Sequence, residues 1–216
     1  MTPRFADAID PILIHAFSLM ERIDGGEEIA PAEEKRTLEG LLQQADNRLS
    51  GYADDWELAK YALVTWIDEM LVDAHIWAGQ GWWRDNVLEW TTFSSRRCND
   101  LYYVNANTAL NSGSDDALQL IYVCVMLGFR GLYRDAKLNR MLIDKHALAP
   151  DLPAWAAEYG NAVGQARQRW NDATAGQECE RNLVPAVPLW SRAKIVWPWL
   201  LATILAGLLI VSFFRT

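Results

Sequence analysis

The last stretch of the chain, Ile195 to Phe214 (IVWPWLLATILAGLLIVSFF), contains no charged residue. A helix of about 20 residues rises ~1.5 Å per residue and so spans ~30 Å, the thickness of a bilayer's hydrocarbon core. Arg192 and Lys194 stand before the run and Arg215 after it, while Trp190, Trp197 and Trp199 supply aromatic residues suited to the membrane interface. Pro198 falls in the first turn, where a missing N–H is tolerated. A buried core helix rarely runs to such a length without a charged residue, so the run reads as a membrane anchor spanning 195–214.

Only Arg215 and Thr216 follow the run, so the folding part is expected before it, on one side of the membrane. The N-terminal apolar stretch Ile12 to Met20 is interrupted by His15 and lacks a small-residue cleavage site, unlike a secretory signal. The expectation is a tail-anchored, single-pass protein whose bulk lies in the cytoplasm, and the basic residues flanking the anchor agree with that orientation. Cys98, Cys124 and Cys179 have no metal-ligand spacing and suit a reducing compartment. Before Ser191 there are 28 acidic residues against 17 basic ones, a balance of −11 that repels nucleic acid and favours basic or mixed protein surfaces.

Helical periodicity dominates the region ahead of the anchor. Asp10 and Pro11 read as the cap and first residue of a helix whose stripe is Leu13, Ala16, Phe17, Met20 and Ile23, stopped by Gly25 and Gly26. Pro31 opens a second helix with Leu38, Leu41, Leu42, Ala45 and Leu49 on one side. Asp54 with Glu57 resembles a capping box for a third, running to about Trp77. Trp82 to Phe93 reads as a short helix, and Asn99 to Leu110 as another.

Ser114, followed by Asp115 and Asp116, is expected to start a helix that is apolar on nearly every side through Gly128, the centre of the bundle. Its β-branched residues also leave a buried strand open. Asp135 to Leu148 (with Leu138, Met141 and Leu142) and Pro153 to Trp170 are expected as amphipathic helices. From Asn171 onward the periodicity fades. The expected organisation is an all-α, compact multi-helix domain over 1–170, a tether over 171–194, and the anchor over 195–214.

The third helix contains neighbouring carboxylates, Asp68 and Glu69, in the run YALVTWIDEM. On a 100° wheel Ala59, Ala62, Leu63, Trp66, Ile67, Met70, Leu71 and Ala74 share a face; Asp68 points away from it, Glu69 flanks it and Asp73 lies at its edge. Adjacent acids diverge by about 100°, a poor start for an acid/base pair. No Glu-x-x-His motif, phosphate loop, dinucleotide loop or nucleophile elbow occurs. The residues indicate no catalytic, cofactor or metal site, and His15 and His146 read as ordinary surface or boundary residues. The acidic, tryptophan-rich strip around Trp66, Trp77, Trp82, Trp83 and Trp90 suits protein recognition.

The segments YALVTWIDEMLV (Tyr61 to Val72), the spaced tryptophans Trp77, Trp82, Trp83 and Trp90, and DALQLIYVCVMLGFRGLYR (Asp116 to Arg134) together resemble the DotU/TssL family of type VI and type IV secretion systems. The resemblance implies an inner-membrane protein with a hook-shaped cytoplasmic helical bundle and no enzymatic activity. It implies as partners a large IcmF/TssM-like inner-membrane protein, an outer-membrane lipoprotein and baseplate proteins. It places Asp68 and Glu69 in the family's Asp-Glu motif, with Asp73, Trp82 and Trp83 as neighbouring cleft candidates. Gly128, Phe129, Arg130, Gly131, Tyr133 and Arg134 fall in its Gly-Phe-x-Gly-x-Tyr-Arg segment. Where many members carry Gly-Gly-Glu-x-Phe-Phe, this chain has Cys98, Asn99, Asp100, Leu101, Tyr102 and Tyr103.

The second motif suggests its own physics: Gly128 ends a helix, Gly131 lets the chain turn, and Arg130 and Arg134 pair with acids. In the anchor, Ala202 with Ala206 and Thr203 with Gly207 are small-residue pairs that would let two copies associate. The expected role is a non-catalytic subunit of a type VI secretion membrane complex. A type IVB stabiliser of an IcmF-like protein, a membrane-tethered regulator outside any secretion machine, and a helical metal-dependent hydrolase using Glu69, Asp73 and His75 are the alternatives.

Overall fold

The structure, a computed structural model, describes residues 1–74 and 77–181, with side chains as far as residue 174. The anchor, its four small residues (Ala202, Thr203, Ala206 and Gly207) and most of the expected tether lie outside the described residues, as does His75. The described chain is all-helical, with no strand: α1 Pro3–Asp24, α2 Pro31–Arg48, α3 Ala53–Asp73, α4 Gln80–Asp85, α5 Leu88–Phe93, α6 Cys98–Ser112, α7 Asp115–Met126, α8 Arg140–Lys145 and α9 Leu152–Arg181. Single 3₁₀ turns occur at Ser50–Tyr52 and Gly131–Asp135. Residues Met1–Arg169 form one compact unit.

The first helix begins a full two turns before the expected Asp10–Pro11 start, with Pro3 in its first turn and Pro11 inside it. Pro11 cannot donate to the carbonyl of Asp7 four residues back. That carbonyl instead accepts from Arg48 Nη1 at 2.9 Å, so the last residue of α2 fills the gap in the α1 ladder. The longer helix also selects a different stripe. Phe5, Ile9, Ile12, Ala16, Leu19 and Ile23 are buried, whereas Phe17 is exposed.

The expectation that the Asp115 helix is the bundle's centre is corrected. That place belongs to α3, which packs against α4, α5, α6 and α7. From Tyr61 to Asp68 every residue of α3 is buried, whereas α7 leaves Val123 and Met126 exposed. Among the described residues the stretch Asp115–Asp135 is long and apolar enough to cross a membrane, but most of it is interior. It is core.

Three further boundaries differ from expectation. The Trp82–Phe93 segment divides into α4 and α5 at Asn86 and Val87, because α5 takes its N-terminal acceptor from α3. Between Asp135 and Leu148 only α8 is helical, and Leu138 and Met141 are exposed while Ile143 turns inward. Local side-chain bonds compete with a longer helix here: Asp135 Oδ1 accepts from the Leu138 N–H, and Asn139 Nδ2 donates to the Leu132 carbonyl. The last helix continues through Asn171 to Arg181, into the stretch expected to be irregular.

A candidate docking cleft at the end of α3

The two headline acids are separated by the helix as expected, but neither is idle. Asp68, expected to point away from the buried face, is itself buried. One oxygen accepts from Trp83 Nε1 (2.9 Å) and the Leu88 N–H (2.8 Å), and the other from the Glu89 N–H (2.8 Å). It thus satisfies two orphan N–H groups at the start of α5 and ties α4 to α3. Burial pushes its carboxyl up from an ordinary 3.8 to about 6, against the pull of those three donors, with nearby Glu89 adding to the rise. Glu89 is also buried, taking the Tyr61 hydroxyl at 2.7 Å and the Arg97 N–H at 2.8 Å.

Glu69 joins the two sequence motifs. Its oxygens accept from the Arg130 N–H at 2.7 Å and the Gly131 N–H at 2.9 Å, and one of them lies 3.0 Å from Arg134 Nη2. Arg134 also pairs with Asp73, and that hydrogen bond, with the charge of Glu69, raises its pKa above the ordinary value. The expected pairing of Arg134 with acids therefore holds. For Arg130 it does not: its guanidinium donates to the carbonyls of Val125 and Phe129 at the end of α7, at 3.3 and 3.2 Å. That placement suits a cation at the negative end of a helix.

The glycines of this segment have the backbone the turn demands, with φ of +117° at Gly128 and +45° at Gly131. A Cβ on Gly131 would sit 2.9 Å from the Phe129 ring. Phe129 stacks on Tyr102 at 3.9 Å, and the Tyr103 hydroxyl donates to the Arg130 carbonyl at 2.8 Å. Tyr133 lies edge-on to Tyr103, and its hydroxyl reaches the Ala149 carbonyl at 2.7 Å. The aromatic pair that follows Asp100 is thus the floor on which the second motif rests. Asp100 itself is mostly buried, which works against ionisation, but the Arg97 hydrogen bond and charge outweigh this and lower its pKa.

Between α1, the end of α3 and the Gly128–Phe129 turn lies a cleft of about 380 Å³. Met20, Ile23, Met70 and Phe129 give it apolar walls, and Asp24, Glu69 and Asp73 an acidic rim. A second concavity of about 450 Å³ shares Ile23 and is lined by Glu27, Glu28, Trp77 and Trp82. Of the expected tryptophan strip, Trp66, Trp77 and Trp83 are core, Trp82 is half-buried beside this second cleft, and Trp90 is exposed. Glu69 and Asp73 are engaged with Arg134, and no group of three metal-ligating side chains gathers among the described residues. His15 and His146, read from the sequence as ordinary surface or boundary residues, each face a carboxylate: Glu34 at 2.9 Å and Asp100 at 3.6 Å.

The sequence matches the family described as "Type VI secretion system protein DotU" over residues 4–216. The chain belongs to the DotU family. No curated protein matches it. Among solved structures the cytoplasmic domain of TssL from Acinetobacter baumannii is similar, with a TM-score of 0.57 and 23% identity over 74% of this chain and 98% of that one. At that identity the likeness is one of fold. For this DotU family member, the Asp-Glu pair thus divides its labour: Asp68 holds helices together from beneath and Glu69 locks the second motif that walls the cleft.

Proposed function

We propose that this DotU family member is a non-catalytic subunit of a type VI secretion membrane complex that receives partner proteins in the acid-rimmed cleft at the end of α3. The observation that carries the reading is the cleft's composition, apolar walls under a rim of Asp24, Glu69 and Asp73. Buried apolar contacts anchor a partner while rim charges steer it. Glu69 and Asp73 take part at the rim, Trp82 and Trp83 belong to the adjoining wall and its support, and Asp68 acts by positioning. The partners are an IcmF/TssM-like membrane protein, an outer-membrane lipoprotein within the same complex, and baseplate proteins.

In this reading the run 195–214 fixes the protein in the bacterial inner membrane with residues 1–170 in the cytoplasm, and Ala202, Thr203, Ala206 and Gly207 support self-association. The test is charge reversal on the exposed part of the rim, Asp24→Lys alone and with Asp73→Lys. The expected result is loss of partner capture and of secretion, with unchanged thermal unfolding for Asp24→Lys and only the small destabilisation of losing the exposed Asp73–Arg134 pair in the double variant. Full capture by the double variant would refute the docking role of this cleft.

A further inference from the structure

One segment of the molecule runs against its charge. From Arg130 to Lys145 five basic residues stand against two acids, whereas the rest of the chain before Ser191 holds 12 basic and 26 acidic residues. The same segment carries Leu138 and Met141, 82% and 85% exposed, the most exposed large apolar side chains among the described residues. Their exposure is built in. Ile143 is buried on the opposite side, Asp135 and Asn139 hold the turn through Leu138 and Leu132, and Tyr133 clamps Ala149.

Arg130 and Arg134 are engaged with carbonyls and acids, which leaves Lys137, Arg140 and Lys145 facing solvent beside the two apolar side chains. Among the described residues Lys137 and Lys145 have no ion pair, and Arg140 has only a 3.9 Å contact to Asp144. A notch of about 260 Å³, lined by Lys137, Arg140, Ile143 and Leu148, opens next to them. Protruding Leu and Met flanked by cations are the elements of an interfacial contact: apolar side chains enter the headgroup boundary and basic ones meet anionic lipid.

We infer that the turn and helix from Arg134 to Lys145 form a peripheral membrane contact that inserts Leu138 and Met141 among anionic phospholipids, with Lys137, Arg140 and Lys145 on their headgroups. Charge complementarity selects this occupant, since a negative bilayer repels the acidic remainder of the domain taken together and attracts this net-basic segment. With the C-terminal run acting as the anchor proposed above, only a weak second contact is needed, because tethering raises the local concentration of lipid. The contact would orient the domain instead of merely retaining it. It does not depend on what the cleft binds.

The test uses the full chain in phosphatidylcholine nanodiscs, in mixed phosphatidylcholine–phosphatidylglycerol nanodiscs, and in detergent micelles, with hydrogen exchange of residues 134–148 as readout. Exchange is expected to slow only in the anionic nanodiscs, and to return to the micelle rate in Lys137→Glu/Arg140→Glu and in Leu138→Ser/Met141→Ser. The population of the contact should fall about fivefold for each basic side chain removed. All four positions are exposed, and unchanged exchange elsewhere in the variants reports an intact fold. Equal exchange in all three media, or protection indifferent to lipid charge, overturns the inference. Protection that appears in micelles and grows with protein concentration also overturns it, and assigns the surface to a second copy of the chain.

Discussion

Replacing Asp68 by alanine removes the acceptor for three buried donors, Trp83 Nε1 and the amides of Leu88 and Glu89. A buried donor left without a partner costs about 1–3 kcal/mol, so the variant is expected to lose ~3 kcal/mol at neutral pH, chiefly by loosening α4 and α5 from α3. Its pH dependence is the sharper test. The carboxyl of Asp68 rises from 3.8 to about 6 on folding because burial disfavours its charged form. A group that binds its proton more tightly in the folded state contributes more stability as pH falls from above the folded value toward the unfolded one. Between pH 7 and pH 5 that increment is about 1 kcal/mol. The alanine variant lacks it, so the penalty should be ~1 kcal/mol larger at pH 5 than at pH 7. Urea unfolding of residues 1–181 at both pH values, followed by tryptophan fluorescence, measures the difference. A penalty that is flat or smaller at pH 5 would refute the reasoning and show that the three N–H donors keep the carboxylate ionised despite burial.

Three other substitutions examine the joint between the motifs and the repair of α1. Gly131→Ala puts a Cβ against the Phe129 ring at a positive φ and should destabilise by ~2 kcal/mol in thermal or urea unfolding. Glu69→Ala frees the amides of Arg130 and Gly131 and unpairs Arg134; a loss of ~2 kcal/mol is expected, with faster amide exchange confined first to residues 128–134. Arg48→Met leaves the Asp7 carbonyl to water and should cost ~1 kcal/mol or less, visible as faster exchange in the first two turns of α1.

The helical class, most helix positions and the turn at Gly128 and Gly131 were legible because hydrophobic periodicity and the spacing of glycines are local properties; that Glu69 is the acid joining the two motifs was not. The inward turn of Asp68 was not, because a wheel assumes one buried side. Yet the run from Tyr61 to Ile67 contains no charged residue, and that continuity was a signal of burial all round. The start of α1 was missed because proline normally opens a helix, and the long-range donor that makes Pro11 tolerable, Arg48, stands 41 residues from the carbonyl it fills. Leu138 and Met141 fit a helical period that tertiary structure never uses. Trp83 was singled out for recognition; its indole instead holds Asp68, a partner 15 residues away.

The bond from Arg130 to Glu69 joins residues 61 apart. Closing a loop of that size carries about 4 kcal/mol of chain entropy, whereas α1 with α2, and α3 with its short neighbours α4 and α5, meet through much shorter connections. The expected order of assembly is that the N-terminal helices collect first and the latch closes late, after Arg134 has been synthesised and seated. Since Gly128 and Phe129 form one side of the cleft, a truncated or half-folded chain has no cleft to offer. If the cleft is the docking site proposed above, only the fully folded chain would be recruited.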